Sequence, residues 1–164
     1  MINFRQYPNM TKCIIPDSIN LRTTTSFYNA FYNMDNLKNI DIHKDVTNLS
    51  STYLSCSRLR SQPICGNKVN DMSNTYAWCT NLIGSPVCGE NVRQFSSAYN
   101  FCNLLTGSPV CGTNVISMIN TYQWCVNLTG SPVCGENVQY MNGAYYHCIN
   151  LTGSPTCGDN VQYI

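Results

Sequence analysis

Apolar residues recur along this chain at repeating steps of three and four. In one stretch Val92, Phe95, Ala98, Tyr99, Cys102 and Leu105 occupy offsets 0, 3, 6, 7, 10 and 13, with Gln94, Ser96, Ser97 and Asn100 between them. At 100° per residue those six fall on one side of a helix, so the spacing predicts a helix with one buried stripe. Asn91, Asn114, Asn137 and Asn160 stand immediately before the valine. An Asn side chain there can accept a hydrogen bond from a free first-turn amide, which predicts a helix start. After the leucine comes Thr-Gly-Ser-Pro-Val-Cys-Gly, as in Thr129 to Gly135. Its glycines predict a turn, a short extended piece and a second turn.

The pattern is periodic. Cys56, Cys79, Cys102, Cys125 and Cys148 form one column and Cys65, Cys88, Cys111, Cys134 and Cys157 a second, each with a 23-residue step. Val69, Val92, Val115, Val138 and Val161 keep the same register, as do Leu59 to Leu151 and Pro63 to Pro155. A fixed period of this size is the mark of units that bury their apolar faces only by stacking on their neighbours. Stacked strands sit about 4.8 Å apart and packed helices about 8–10 Å, so a stack of both must curve with the strands inside. The fold class expected is therefore an α/β solenoid, a curved leucine-rich-repeat-like stack of helix plus short extended strand. The proline column removes a ladder donor per unit and confines pairing to residues such as Val110 and Cys111.

The N-terminal part is less regular. Met34 and Leu37 take the Cys and Leu positions of a degenerate unit, and Leu37, Ile40, Ile42 and Val46 lead into Leu49, Tyr53 and Cys56. Residues 1–36 read as an irregular cap with a degenerate first repeat, and 37–164 as the repeat region without a C-terminal cap. Ile164 falls in the column of Met72, Phe95, Met118 and Met141. It predicts an open apolar end that stacks on a further domain or another copy.

The progression Val69-Met72-Tyr76-Cys79-Leu82, with Leu37-x-x-Ile-x-Ile42 in the degenerate unit, resembles the BspA-like leucine-rich-repeat family over about residues 30–164. Members of that family are generally bacterial surface, protist or virus-associated proteins that bind other proteins or host surfaces. The resemblance implies a non-enzymatic interaction role.

Charge narrows the picture further. A formal net charge of +1, with only 10% charged residues, removes nucleic-acid binding driven by a basic excess. Seven of the nine basic residues lie in positions 1–60. No apolar run approaches the roughly 18 residues of a membrane span. Met1 to Thr25 lacks the apolar stretch of a secretory signal, which predicts cytoplasmic synthesis, with the protein either staying in the cytoplasm or reaching a virion or cell surface by lysis or inside an assembled particle.

Eleven cysteines would suit a disulfide framework in an exported chain, but the number is odd. The first column lies on the buried stripe, where a thiol acts as a small hydrophobe. The second is open to packing or to a bridge with the first. Without Cys-x-x-Cys, and with His43 and His147 as the two histidines, no metal is expected. His147 and Cys148 are neighbours, and neighbours on a helix diverge by about 100°, so they make a poor base and nucleophile. No catalytic residue or cofactor is assigned.

Tyr53, Tyr76, Tyr99, Tyr122 and Tyr145 point into the core stripe. Trp78, Phe101, Trp124 and His147 lie beyond its edge, where they either stack on a sugar or peptide or pack between units. Thr106, Thr129 and Thr152, with Ser85, Ser108, Ser131 and Ser154, read as turn residues. Glycosylation-type triplets begin at Asn9, Asn48, Asn127 and Asn150. The function expected is an interaction or adhesion module that binds a protein or glycan at a cell or virion surface. The competing reading is a structural subunit of a particle or fibre that self-associates through its C-terminal end.

Overall fold

The computed structural model describes residues 2–15, 25–42, 44–62 and 65–163. His43, Pro63 and Ile164, and with Ile164 the expected open end, lie outside the described residues. Among the described residues there is no helix. The two strands, β1 (Lys12–Ile14) and β2 (Asn39–Asp41), run parallel with Cys13 opposite Ile40.

The expected α/β solenoid of helix plus strand is therefore corrected, and the backbone hydrogen bonds give the reason. In the unit that begins at Val69, the N–H groups of Thr75, Cys79 and Leu82 donate to Met72, Tyr76 and Cys79, each three residues back. The intervening N–H groups of Asn74, Tyr76 and Trp78 donate instead to Ser96, Ala98 and Asn100 of the next unit. A helix would bond each of these amides four residues back within its own chain and leave none for a neighbour. Here tight turns alternate local bonds with bonds to the adjacent coil. Positive φ values of 55° at Asn74 and 63° at Trp78 take the chain out of the right-handed helical region twice per unit, and the same happens at Ser97 and Phe101 and at Asn120 and Trp124. Steps of three and four still aim the same side chains inward, so the stripe is buried without a helix.

Successive coils lie in parallel register. Single bridges run Ser26–Asn48–Asp71–Gln94–Ser117–Tyr140–Tyr163 along one line and Val110–Val133–Thr156 along another. The asparagines expected to cap helices do something else. Asn91, Asn114, Asn137 and Asn160 each donate Nδ2 to a carbonyl of the preceding coil, at 2.6–2.9 Å. A second ladder, Asn81, Asn127 and Asn150, does the same at 2.7 Å. Because Asn carries two amide donors on a short stem, it can reach across one coil spacing and satisfy a carbonyl that no strand pairs.

The core is a set of columns. Phe4, Phe31, Tyr53, Tyr76, Tyr99, Tyr122 and Tyr145 form one continuous stack of rings, with neighbouring centroids 4.8–5.8 Å apart. Beside it run the Val, Leu and first Cys columns, buried as far as Val138, Leu128 and Cys148, with Met72, Phe95 and Met118 closing the interior. Each coil buries its apolar atoms against the coils above and below, so stability depends on the spacing between neighbours.

That spacing depends on the glycine after each second-column cysteine. A Cβ built on Gly112 meets the Gly89 carbonyl oxygen at 3.1 Å, and one on Gly158 meets that of Glu136 at 2.7 Å. On Gly135 it would fall onto the Gly112 carbonyl. Gly135→Val is expected to cost about 2–3 kcal/mol through overpacking, whereas Thr113→Val on the exposed surface stays within about 0.5 kcal/mol. Urea midpoints measure both. Equal midpoints would mean that the coils can spread at no cost.

Candidate functional site

Trp78, Phe101, Trp124 and His147 stack on one another along the outside of the coils. Their centroids are 3.9, 5.7 and 3.9 Å apart and their planes within 14° of parallel. All four have φ between 59° and 64°. Asn33 and Ser55 occupy this position in the earlier coils, also at positive φ. Asn tolerates the left-handed region, while a bulky side chain there costs roughly 1–2 kcal/mol. Offset stacking returns about 0.5–1.5 kcal/mol per pair, so the ladder offsets part of its backbone cost. Both faces of Phe101 and of Trp124 are taken by neighbouring rings, which leaves edges rather than faces for an approaching molecule. Trp78 remains 47% exposed.

The first cysteine column faces inward. Cys56, Cys79, Cys102, Cys125 and Cys148 donate their thiols to the carbonyls of Phe31, Tyr53, Tyr76, Tyr99 and Tyr122, at 2.9–3.1 Å. Each thiol thus ties one coil to the aromatic residue of the coil before it. The second column lies nearer the surface, with Cys65 Sγ 3.6 Å from Met72 Sδ and Cys157 Sγ 3.2 Å from Cys134 Sγ. All eleven cysteines are free. Burial pushes the Cys56 and Cys88 thiols up to about 12, and those of Cys65, Cys111 and Cys148 to about 11. These are protonated structural thiols, poor as nucleophiles.

The remaining chemistry is equally quiet. Cys148 turns in to the Tyr122 carbonyl while His147 lies out on Trp124, so the two neighbours do not meet. No group of three or more His, Cys, Asp or Glu side chains is placed to hold a metal among the described residues. Ser108 Oγ donates to the Ser131 carbonyl at 2.6 Å, and the Thr106, Thr129 and Thr152 amides donate to Gly84, Gly107 and Gly130. Of the glycosylation-type asparagines, Asn127 and Asn150 hold their amide nitrogens in the inter-coil ladder and Asn48 donates to Asp71 Oδ2 at 3.3 Å.

Sequence reasoning missed the segment from Ile83 to Val87. Ile83 is 51% and Val87 44% exposed, with Ser85 also exposed and Pro86 buried between them. This outer stretch is held from beneath. The buried Tyr99 hydroxyl donates to the Val87 carbonyl at 2.7 Å and accepts the Val87 N–H at 3.0 Å. Gln62 adds a bond from Nε2 to the Ser85 carbonyl at 2.7 Å and accepts the Val87 N–H at Oε1 at 3.2 Å. In the next unit the corresponding contact, Tyr122 hydroxyl to Val110 carbonyl, stretches to 3.5 Å. Two departures from the repeat mark the place. Gln62 precedes the column Ser85, Ser108, Ser131 and Ser154, and Ile83 stands where later units have Thr106, Thr129 and Thr152.

Residues 74–106, about a fifth of the chain, match the Kazal-type serine protease inhibitor domain. No leucine-rich-repeat family matches, so the resemblance to BspA-like proteins is corrected on this ground as well as on the absence of helices. No curated protein and no solved structure matches the chain. The matched stretch begins at Asn74, four residues before the aromatic ladder opens at Trp78, and contains the whole Ile83–Val87 segment. A match of this kind points to a non-enzymatic role in protein binding.

Proposed function

We propose that the chain is a non-enzymatic protein-binding module that engages a serine protease through the segment Ile83–Val87. The observation that carries this reading is the tethering of an exposed Ser85-Pro86-Val87 by Tyr99 and Gln62 within residues 74–106. A protease active site takes an extended peptide, and a peptide already held in one conformation binds without the cost of ordering it. Three features supply that order. Pro86 restricts the backbone, the Tyr99 hydroxyl holds both polar groups of Val87, and the coil stack fixes Tyr99. The side chain offered at the centre is small and aliphatic, which fits a protease with a shallow apolar specificity pocket rather than one lined by a carboxylate.

Residual activity of elastase-like, chymotrypsin-like and trypsin-like proteases, titrated with the protein, tests this. The elastase-like enzyme is expected to be inhibited most strongly. Val87→Asp is expected to weaken inhibition at least 100-fold, while Val110→Asp one coil away leaves it unchanged. Rapid cleavage of the chain as an ordinary substrate, or equal effects of the two variants, would overturn the reading.

A further inference from the structure

A second site lies on the turn that follows the first cysteine column. Lys38, Arg58 and Arg60 line one cavity of about 410 Å³, together with Asn81. Lys38 and Arg60 each follow a leucine of the buried column, Leu37 and Leu59, so they stand one above the other in adjacent coils. Arg58, on the other side of Leu59, takes the column that Asn36 and Asn81 occupy in the neighbouring coils. Two of these side chains are fixed by neutral partners. Arg58 Nη1 donates to Asn36 Oδ1 at 3.1 Å, and Asn81 Nδ2 donates to the Ser57 carbonyl at 2.7 Å.

Among the described residues no carboxylate is paired with these charges. Asp35, in the next column, accepts the Ser57 hydroxyl at 2.8 Å and does not line the cavity. Elsewhere the repeat puts opposite charges over one another, as where Lys68 meets Asp45 of the preceding coil at 2.6 Å. Two like charges directly stacked are unfavourable, and a third beside them makes the placement worse. In a chain with nine basic residues, three in one cavity form a concentrated positive site. Clefts lined by one sign of charge focus their field on a counter-ion, and the planar donor fork of Arg suits the oxygens of a phosphate or sulfate group.

We propose that Lys38, Arg58 and Arg60 form an oxyanion site that takes a phosphate or sulfate ester group. The two guanidinium groups donate to its oxygens, Lys38 adds a point charge, and Asn81 lines the neighbouring edge. The cations lie outside residues 74–106, although the Arg60 carbonyl accepts the Ile83 N–H at 3.0 Å, and anion binding is read without any protease present, so the site is tested separately from the inhibition.

Calorimetric titration in 150 mM sodium chloride with inorganic phosphate, and separately with inorganic sulfate, tests the site. Saturable one-to-one binding of at least one of them is expected, and the tighter of the two tells which ester chemistry is preferred. The double variant Arg58→Gln/Arg60→Gln is expected to weaken binding at least tenfold while its thermal midpoint without anion stays equal or rises, since the removed charges repel. Lys38→Gln alone should weaken it by a smaller factor, and Arg93→Gln, on a distant face, should not. Binding no tighter than that of chloride, or unchanged in the double variant, would overturn the proposal.

Discussion

Tyr99→Ala is expected to lower stability by about 4 kcal/mol, among the largest losses available to a single change in this chain. The Tyr99 ring lies 5.2 Å from Tyr76 and 5.8 Å from Tyr122, and Phe95 meets its edge at 5.9 Å. Its removal opens a cavity in the middle of the aromatic stack and separates the coils on either side. It also leaves the Val87 N–H without the tyrosine hydroxyl beneath it. Tyr99→Phe separates the two roles. It keeps the ring and loses the hydroxyl, so it should cost only about 1 kcal/mol. Because it unties Val87, it should weaken protease inhibition at the same time. Urea denaturation and the inhibition assay read the two effects independently. If Tyr99→Ala cost no more than Tyr99→Phe, the stack would not be what holds the coils.

The second large effect is on alkaline stability. Burial raises the thiols of Cys79 and Cys102 well above the ordinary value of 9.0, and that of Cys56 to about 12. In the unfolded chain the same thiols ionise from about pH 9, whereas in the folded chain they keep their protons. Above that pH the unfolded state binds fewer protons than the folded one, so stability falls as pH rises. The loss begins near the unfolded value and levels off only beyond the folded values. Each fully buried thiol contributes about 1.4 kcal/mol per pH unit in that window, and the first column together on the order of 5 kcal/mol by pH 10. Tyr76, Tyr99 and Tyr122, raised by the same burial, add to the effect at higher pH. The urea midpoint under reducing conditions should be level from pH 7 to 8.5, then drop steeply and recover on return to neutral pH. A midpoint that holds from pH 8 to 10 would show that the thiols can ionise in place.

The two effects share a cause in the repeat. A column of identical residues places each tyrosine on a tyrosine and each thiol beneath the carbonyl of the coil before it. Every unit therefore repeats the same favourable contact and the same liability. The glycine after the second cysteine follows the same logic, since the close approach of coils that stacks the rings leaves no room for a Cβ at Gly135. The exceptions to the repeat carry the specific chemistry. Gln62 and Ile83 shape the segment around Val87, and Lys38, Arg58 and Arg60 line the cationic cavity in coils where later units have neutral residues at the same columns.

The period of 23, the identity of every column and the inward stripe were all determined by the sequence alone, because the same residue types recur at the same register in unit after unit. What the tertiary structure decided was how the backbone between those positions bonds. Steps of three and four turn the same side chains inward in a helix and in a run of tight turns, so the stripe cannot tell them apart. The choice falls to the amides of residues such as Asn74, Tyr76 and Trp78, which bond to the next coil instead of to their own. Those partners lie 22 residues along the chain. They come within reach only when two coils are already stacked, and no local window of sequence contains that information.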